Sequence, residues 1–245
     1  MPKTIGPNIK SRQRLPDQIE RGSVNILECE LTKDGTAITP TSATIVISDG
    51  SGVTVSSGSA TIVGNVAQYS WTPASTLVLS DRWSVVWSIT TPSDGIQTVR
   101  NDAMLCRTRL QCPVTVDDVY GIAPGLDPSL PTCILANSDA DVDGLVSEAW
   151  VQVQSRLLAA GKRPYLVTGA FALRDCVLNL SLALAFDTAA IHTLNQAWQD
   201  TANRYRAQYE EAWKNLKLSY DEDDSAVDHQ TVSARPGVIW LGARR

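Results

Sequence analysis

From about Gly22 to Leu110 apolar and polar side chains alternate with a period of two. The clearest stretch sets Trp83, Val85, Trp87 and Ile89 against Ser84, Val86, Ser88 and Thr90. Successive strand side chains point to opposite faces, so the large residues share one face and small polar ones hold most of the other. Shorter runs of this kind are Val24–Leu31, Ala43–Ser48, Val53–Ser56, Ala60–Val63, Val66–Trp71, Gln97–Asn101 and Ala103–Thr108. Turn signals separate them: Lys33-Asp34-Gly35, Asp49-Gly50-Ser51-Gly52, Gly64-Asn65 and Ser93-Asp94-Gly95. Short strands with regular turns predict an antiparallel β-sandwich over residues 22–111, immunoglobulin-like in architecture only, since the Cys-Trp-Cys pinning of antibody domains is absent. Its expected core includes Tyr69, Trp71, Trp83 and Trp87; a carbohydrate-stacking platform is the alternative use of the tryptophans.

Cys112-Pro113 and the Pro/Gly-rich stretch Ala123–Pro131 end that pattern, and after Asn137 the period becomes 3.6. Val142, Leu145, Val146, Ala149, Val153 and Leu157 share one helical face, closed by Gly161 and Pro164. A second helix, about Ala170–Phe186, is apolar nearly all round and calls for burial on every side, by its own domain or a neighbouring subunit. The third is predicted to open with a capping box at Thr193-Leu-Asn-Gln196. It carries Leu194, Trp198, Ala202, Tyr205, Tyr209, Ala212 and Leu216 at spacings of three and four. The expected organisation is therefore α+β with two domains: an N-terminal arm over 1–21, the β-sandwich over 22–111, a helical domain over 112–220, and an acidic linker with a C-terminal arm over 221–245. Within that arm Val238, Ile239, Trp240 and Leu241 form a β-prone apolar run behind Pro236-Gly237. It is either a final strand of its own domain or an arm added to a partner.

Composition narrows the function classes. The chain has 245 residues, is 43% hydrophobic and 19% charged, and carries a net charge of −5, which argues against a molecule held to nucleic acid by electrostatics. No apolar run is expected to reach the ~18 residues of a membrane helix, and no apolar stretch follows the basic N-terminus as in a secretory signal. Five cysteines without CxxC or Cys/His spacing predict neither a disulfide framework nor a zinc site. Charge is uneven: residues 1–21 hold five basic side chains, whereas residues 113–245 hold 17 acids and 11 bases. An acidic helical half repels DNA, as suits a surface that DNA slides past.

Catalytic chemistry is not legible. His192 and His229 lack partner spacings such as HExxH, no GxSxG elbow occurs, and the Gly50-Ser-Gly52 pair sits in a hairpin turn rather than before a helix. No catalytic, cofactor or metal residue is assigned, and the expectation is a non-enzyme. Asp139-Ala-Asp141-Val-Asp143-Gly144 matches half of a calcium loop, but the twelfth position is Trp150 and not Glu. The favoured reading is a helix N-terminus capped by Ser138 or Asp139, with Asp141 and Asp143 meeting the dipole. Asp221-Glu-Asp223-Asp224 reads as a solvated acidic linker.

The helical half resembles a known family. Pro113–Gly121 leads to the acidic cap; a helix with Glu148-Ala-Trp150, a Gly161-Lys-Arg-Pro164 turn and a near-apolar helix follow. A long helix with Tyr205, Tyr209, Ala212 and Leu216 then ends at Ser219-Tyr220-Asp221-x-Asp223-Asp224. This order over Cys112–Arg245 is similar to the head-to-tail adaptor (connector) proteins of tailed bacteriophages, although Ser225 stands where that ending usually has Gly. The resemblance implies a structural virion protein made in the host cytoplasm. It would be a homo-oligomeric ring, a dodecamer, beneath the portal protein, extending the DNA channel without specific DNA binding and meeting a tail or stopper protein, with no membrane and no cofactor. It also implies that the arm, Val238, Ile239, Trp240, Leu241, Arg244 and Arg245, reaches the portal or a neighbour. Trp198, Tyr205 and Tyr209 are the candidates for ring contacts, with ordinary core packing as the competing role. The other readings are a stopper or tail-completion protein, a glycan-binding or adhesion module on the β half, and, last, a hydrolase.

Overall fold

The computed structural model describes residues 9–11, 13–33, 36–92, 95–136, 138, 140–220 and 229–230. The chain divides into two compact units, Met1–Leu110 with Gln154–Leu166, and Gln111–Val153 with Val167–Arg245. Gln154–Leu166 thus counts with the first unit.

The first unit holds β1 (Ile9–Ser11), β2 (Asp17–Glu20), β3 (Asn25–Lys33), β4 (Thr36–Ala37), β5 (Ser42–Ser48), β6 (Thr54–Ser59), β7 (Thr61–Val63), β8 (Val66–Trp71), β9 (Ser80–Thr91) and β10 (Gly95–Cys106). One sheet runs β1-β3-β8-β7 with β4 also on β3, and the other runs β2-β10-β9-β5-β6. Every pairing in them is antiparallel except β2 on β10, which is parallel. Period two does the work in β5, where Ala43, Ile45 and Ile47 are buried and Thr44 and Val46 are exposed. Leu27, Cys29 and Leu31 of one sheet and Ile45, Ile47, Val85, Trp87 and Ile89 of the other belong to a single buried cluster. Trp87 is fully enclosed there, and Trp83 is 3% exposed. An aromatic of that size removes ~200 Å² from water, on the order of 5 kcal/mol as an upper value.

Two expectations change here. Asp17–Glu20, assigned to an N-terminal arm, is a strand paired with β10; Ile19 is its one fully buried side chain and leaves no alternation to read. The runs 97–101 and 103–108 are one strand, β10, with a register shift between Ala103 and Leu105.

The remaining elements are α1 (Val116–Ile122), α2 (Val142–Ala159), α3 (Arg174–Thr193), α4 (Gln196–Lys214), β11 (Ser219–Tyr220) and β12 (His229–Gln230), with 3-10 turns at Pro124–Leu126, Pro164–Leu166 and Ala170–Leu173. The fold is thus α+β, with two antiparallel-rich sheets and four helices. Sequence pattern missed α1, which is only two turns long. Its local chemistry is complete: Thr115 caps it, Asp118 N–H donates to Thr115 Oγ1, and Thr115 N–H donates to Asp118 Oδ2 at 2.9 Å. Asp118 also accepts from Arg174 Nη2 at 2.7 Å, tying α1 to the start of α3. Those bonds from Thr115 and Arg174 hold the Asp118 carboxyl below the usual carboxylate range.

The cap of α2 is also corrected. Gly144 N–H donates to Asp141 Oδ1 at 2.6 Å, so Asp141 caps the helix in place of Ser138 or Asp139. Ser138 Oγ instead donates to the carbonyls of Leu135 and Ala140, and Asp139 lies outside the described residues.

Candidate functional site

The ring-contact candidates Trp198, Tyr205 and Tyr209 all lie on α4, the second helix of the α3–α4 hairpin. Leu194 turns the chain between the helices in the left-handed region at φ 51°, and Asn195 caps α4 by accepting from Ala197 N–H at 2.9 Å. The predicted Thr193–Gln196 capping box does not form. Thr193 belongs to the last turn of α3, where its hydroxyl donates to the Ala189 carbonyl at 2.7 Å, a bond open to any helical threonine. His192, expected at a helix start, sits in that same last turn and is exposed.

Trp198, Tyr205 and Tyr209 lie seven and four residues apart on α4 and so share a face. Phe186 of α3 stacks on two of them, on Trp198 at 5.6 Å and 26° and on Tyr205 at 5.7 Å and 7°. Beside it, Asp187 pairs with Arg206 and accepts from Gln199 Nε2 at 3.0 Å. Tyr209 is buried and meets Trp213 at 6.5 Å. Arg204 lies 5.3 Å over the Tyr205 ring. The three aromatics therefore contribute to packing within the hairpin, while Trp198 and Tyr205 keep part of their surface open.

The near-apolar α3 finds its burial inside the chain. Cys176, Val177, Leu178, Leu180, Leu182, Ala183, Ala185, Phe186, Ala189 and Ala190 are all buried, so a neighbouring subunit is not needed to cover it. Contrary to the sequence expectation, Ala170–Thr193 is long and apolar enough to cross a membrane by length and composition, and most of its apolar window is buried in the fold.

Exposed apolar surface near this helix lies at its two ends. Ile191 is 70% and Leu194 91% exposed at the hairpin tip, and Phe171 is 79% exposed in the turn before α3. Sequence periodicity placed Leu194 on the buried face of α4; only its position next to the capping asparagine signalled otherwise.

A cavity of about 420 Å³ opens where α1, the Pro124–Leu126 turn and the start of α2 meet. Tyr120, Leu126, Leu135 and Val142 line it, together with Asp141 and Asp143. Burial first, then the charges of Asp127, Cys133, Asp141 and Asp117, push the Tyr120 phenol above its ordinary range. Among the described residues no three His, Cys, Asp or Glu side chains converge as a metal requires. All five cysteines are free thiols; burial pushes Cys29 and Cys106 up to about 12, with smaller contributions from Asp17 and Glu20 respectively. Val238, Ile239, Trp240, Leu241, Arg244 and Arg245 lie outside the described residues.

No protein-family model matches this chain, and no curated protein sequence matches it. Among solved structures it is similar to CopC from Methylosinus trichosporium OB3b, at 15% identity and a TM-score of 0.28 over 37% of this chain and 82% of that one. An Escherichia coli alpha-2-macroglobulin activated by porcine elastase aligns at 13% identity and a TM-score of 0.29, over 40% of this chain and 8% of its own. A β-glucuronidase from Ruminococcus gnavus, in complex with D-glucuronic acid, aligns at 11% and 0.27, over 86% of this chain and 41% of its own. Likenesses of this degree carry no argument about activity.

Proposed function

We propose that this chain is a structural, non-enzymatic component of the tailed-phage neck. In this reading it forms a ring beneath the portal that joins head to tail and lengthens the DNA channel. The observation that carries the reading is the order of the helical unit: a capped α1, then α2, the near-apolar α3, the amphipathic α4, and a strand opening on Ser219-Tyr220. From α2 onward that order is compatible with the adaptor resemblance, in a stretch of chain with net negative charge. Identical subunits side by side make a heterologous contact that closes by rotation, so one chain suffices to build a tube.

The finer architecture belongs to the same proposal: the β unit as an immunoglobulin-like sandwich, the helical unit as the adaptor domain, and residues 236–245 as the arm that meets the portal or a neighbouring copy. The apolar tip at Ile191 and Leu194 adds a second surface suited to a protein partner. A glycan platform on the β unit draws no support from Trp83 and Trp87, whose rings are buried.

Deletion of Pro236–Arg245 tests the proposal. The truncated chain is expected to keep a native-like far-ultraviolet circular dichroism spectrum and a cooperative melting transition, and to stop co-sedimenting with purified portal rings. Undiminished co-sedimentation would count against the arm and the reading built on it.

A further inference from the structure

The cavity beside α1 has the chemistry of a receptor for an apolar segment that ends in cations. Its walls include the half-buried Val116 and Tyr120 together with Leu126 and Val142. At about 420 Å³ it falls within the ~300–1,000 Å³ range of sites that take a few side chains. Asp141 and Asp143 stand on its lining with no ion-pair partner among the described residues. An apolar floor with two carboxylates favours an occupant that combines a large apolar group with positive charge.

This chain carries such a segment. Val238-Ile239-Trp240-Leu241 is followed by Arg244-Arg245, and no other stretch of the sequence joins four apolar residues, one of them Trp, to a pair of arginines. Its tether is short: Gln230 is held by pairing with Ser219, and Trp240 follows ten residues later. Ten extended residues span up to ~34 Å, about the diameter of a unit of this size. A tether of that length keeps the segment at an effective concentration of roughly millimolar, above that of a second copy in dilute solution.

We infer that the C-terminal segment of this chain docks in the cavity of its own helical unit, Trp240 against Tyr120 and the aliphatic floor, Arg244 and Arg245 at Asp141 and Asp143. This does not rest on the neck reading. If that reading also holds, the docked state stows the arm until a partner takes it.

Cys133, which lines the cavity and is half-buried, supplies a native reporter. The full-length chain carrying Cys112→Ser, to remove a competing half-buried thiol, is combined in turn with Trp240→Cys, Ala243→Cys and Ser233→Cys. Each is oxidised with copper phenanthroline at submicromolar protein, and disulfides are mapped by non-reducing peptide mass spectrometry. Ala243→Cys retains Trp240 and so preserves the anchor. Docking predicts a bond within one chain between Cys133 and position 240 or 243, roughly tenfold faster than the tethered control at position 233. Adding Asp141→Asn and Asp143→Asn is expected to slow it roughly fivefold without changing the circular dichroism. Rates equal to the control at both positions in folded protein would overturn the inference. So would a bond formed only between two chains, which assigns the cavity to a second copy.

Discussion

Arg109 Nη2 donates to Asn25 Oδ1 at 2.8 Å, and the same oxygen accepts from Glu20 N–H at 2.7 Å. Asn25 is 1% exposed, and its amide nitrogen donates to the carbonyls of Glu20 and Ser23 at 2.8 Å. One buried amide thus joins the end of β2, the start of β3 and the chain leaving β10. Asn25→Ala leaves the Glu20 N–H and the guanidinium without that acceptor, and about 2–3 kcal/mol of stability should be lost in a urea titration. Asn25→Asp keeps that acceptor but turns a carboxylate oxygen on the Glu20 and Ser23 carbonyls, and is expected to lose at least as much.

A half-buried group, Asp17, makes stability depend on pH. Burial pushes the Asp17 carboxyl up to about 6 from 3.8, against hydrogen bonds from Gln13 and Asn101 and the charge of Arg109. The unfolded chain therefore loses this proton before the folded one does. Between about pH 4 and 6 the contribution of Asp17 turns increasingly unfavourable as pH rises, and above 6 it levels off. Asp17→Asn should raise the urea midpoint at pH 7 by the equivalent of about 1–2 kcal/mol, allowing for partial exposure, and give no such gain below pH 4.

Between the sheets of the β unit, Gly58 lies under the ring of Tyr69. A methyl group at Gly58 would meet Tyr69 Cε2 at 2.9 Å, while the phenol oxygen is within 3.2 Å of Ser56 Oγ. Gly58→Ala should lower stability by about 1–3 kcal/mol through this overlap. Trimming the ring with Tyr69→Leu in the same chain is expected to recover much of that loss, which a double-mutant cycle on melting curves would measure.

Leu194 offers the opposite sign. It is 91% exposed at a left-handed φ of 51°, so Leu194→Gly removes backbone strain and forfeits almost no burial. Thermal melts should show a gain of about 1 kcal/mol. If the hairpin tip meets a partner in the neck, the same variant should also assemble less well, a pairing of effects that a purely structural leucine would not give.

How much of this was legible depended on how many apolar side chains each element spends. β9 was plain because Trp83, Val85, Trp87 and Ile89 repeat at period two, and α2 because Val142, Val146, Ala149, Val153 and Leu157 recur on one face. β2 has a single core residue, Ile19, and α1 a single one, Val119, so neither makes a period; their signals are local bonds such as the Thr115–Asp118 box. Thr193 shows why a spacing alone misleads: its hydroxyl found the Ala189 carbonyl within α3, and Asn195 took the cap. The aromatic seam of Phe186, Trp198 and Tyr205 joins residues on two helices, and no one-helix pattern could pair them.

Native mass spectrometry of the full-length chain, alone and mixed with a tailed-phage portal ring, tests the neck reading most directly. The account predicts a portal complex bearing a full closed complement of this chain, twelve copies on a twelve-fold portal. A chain that stays monomeric at every concentration and leaves the portal mass unchanged would contradict it.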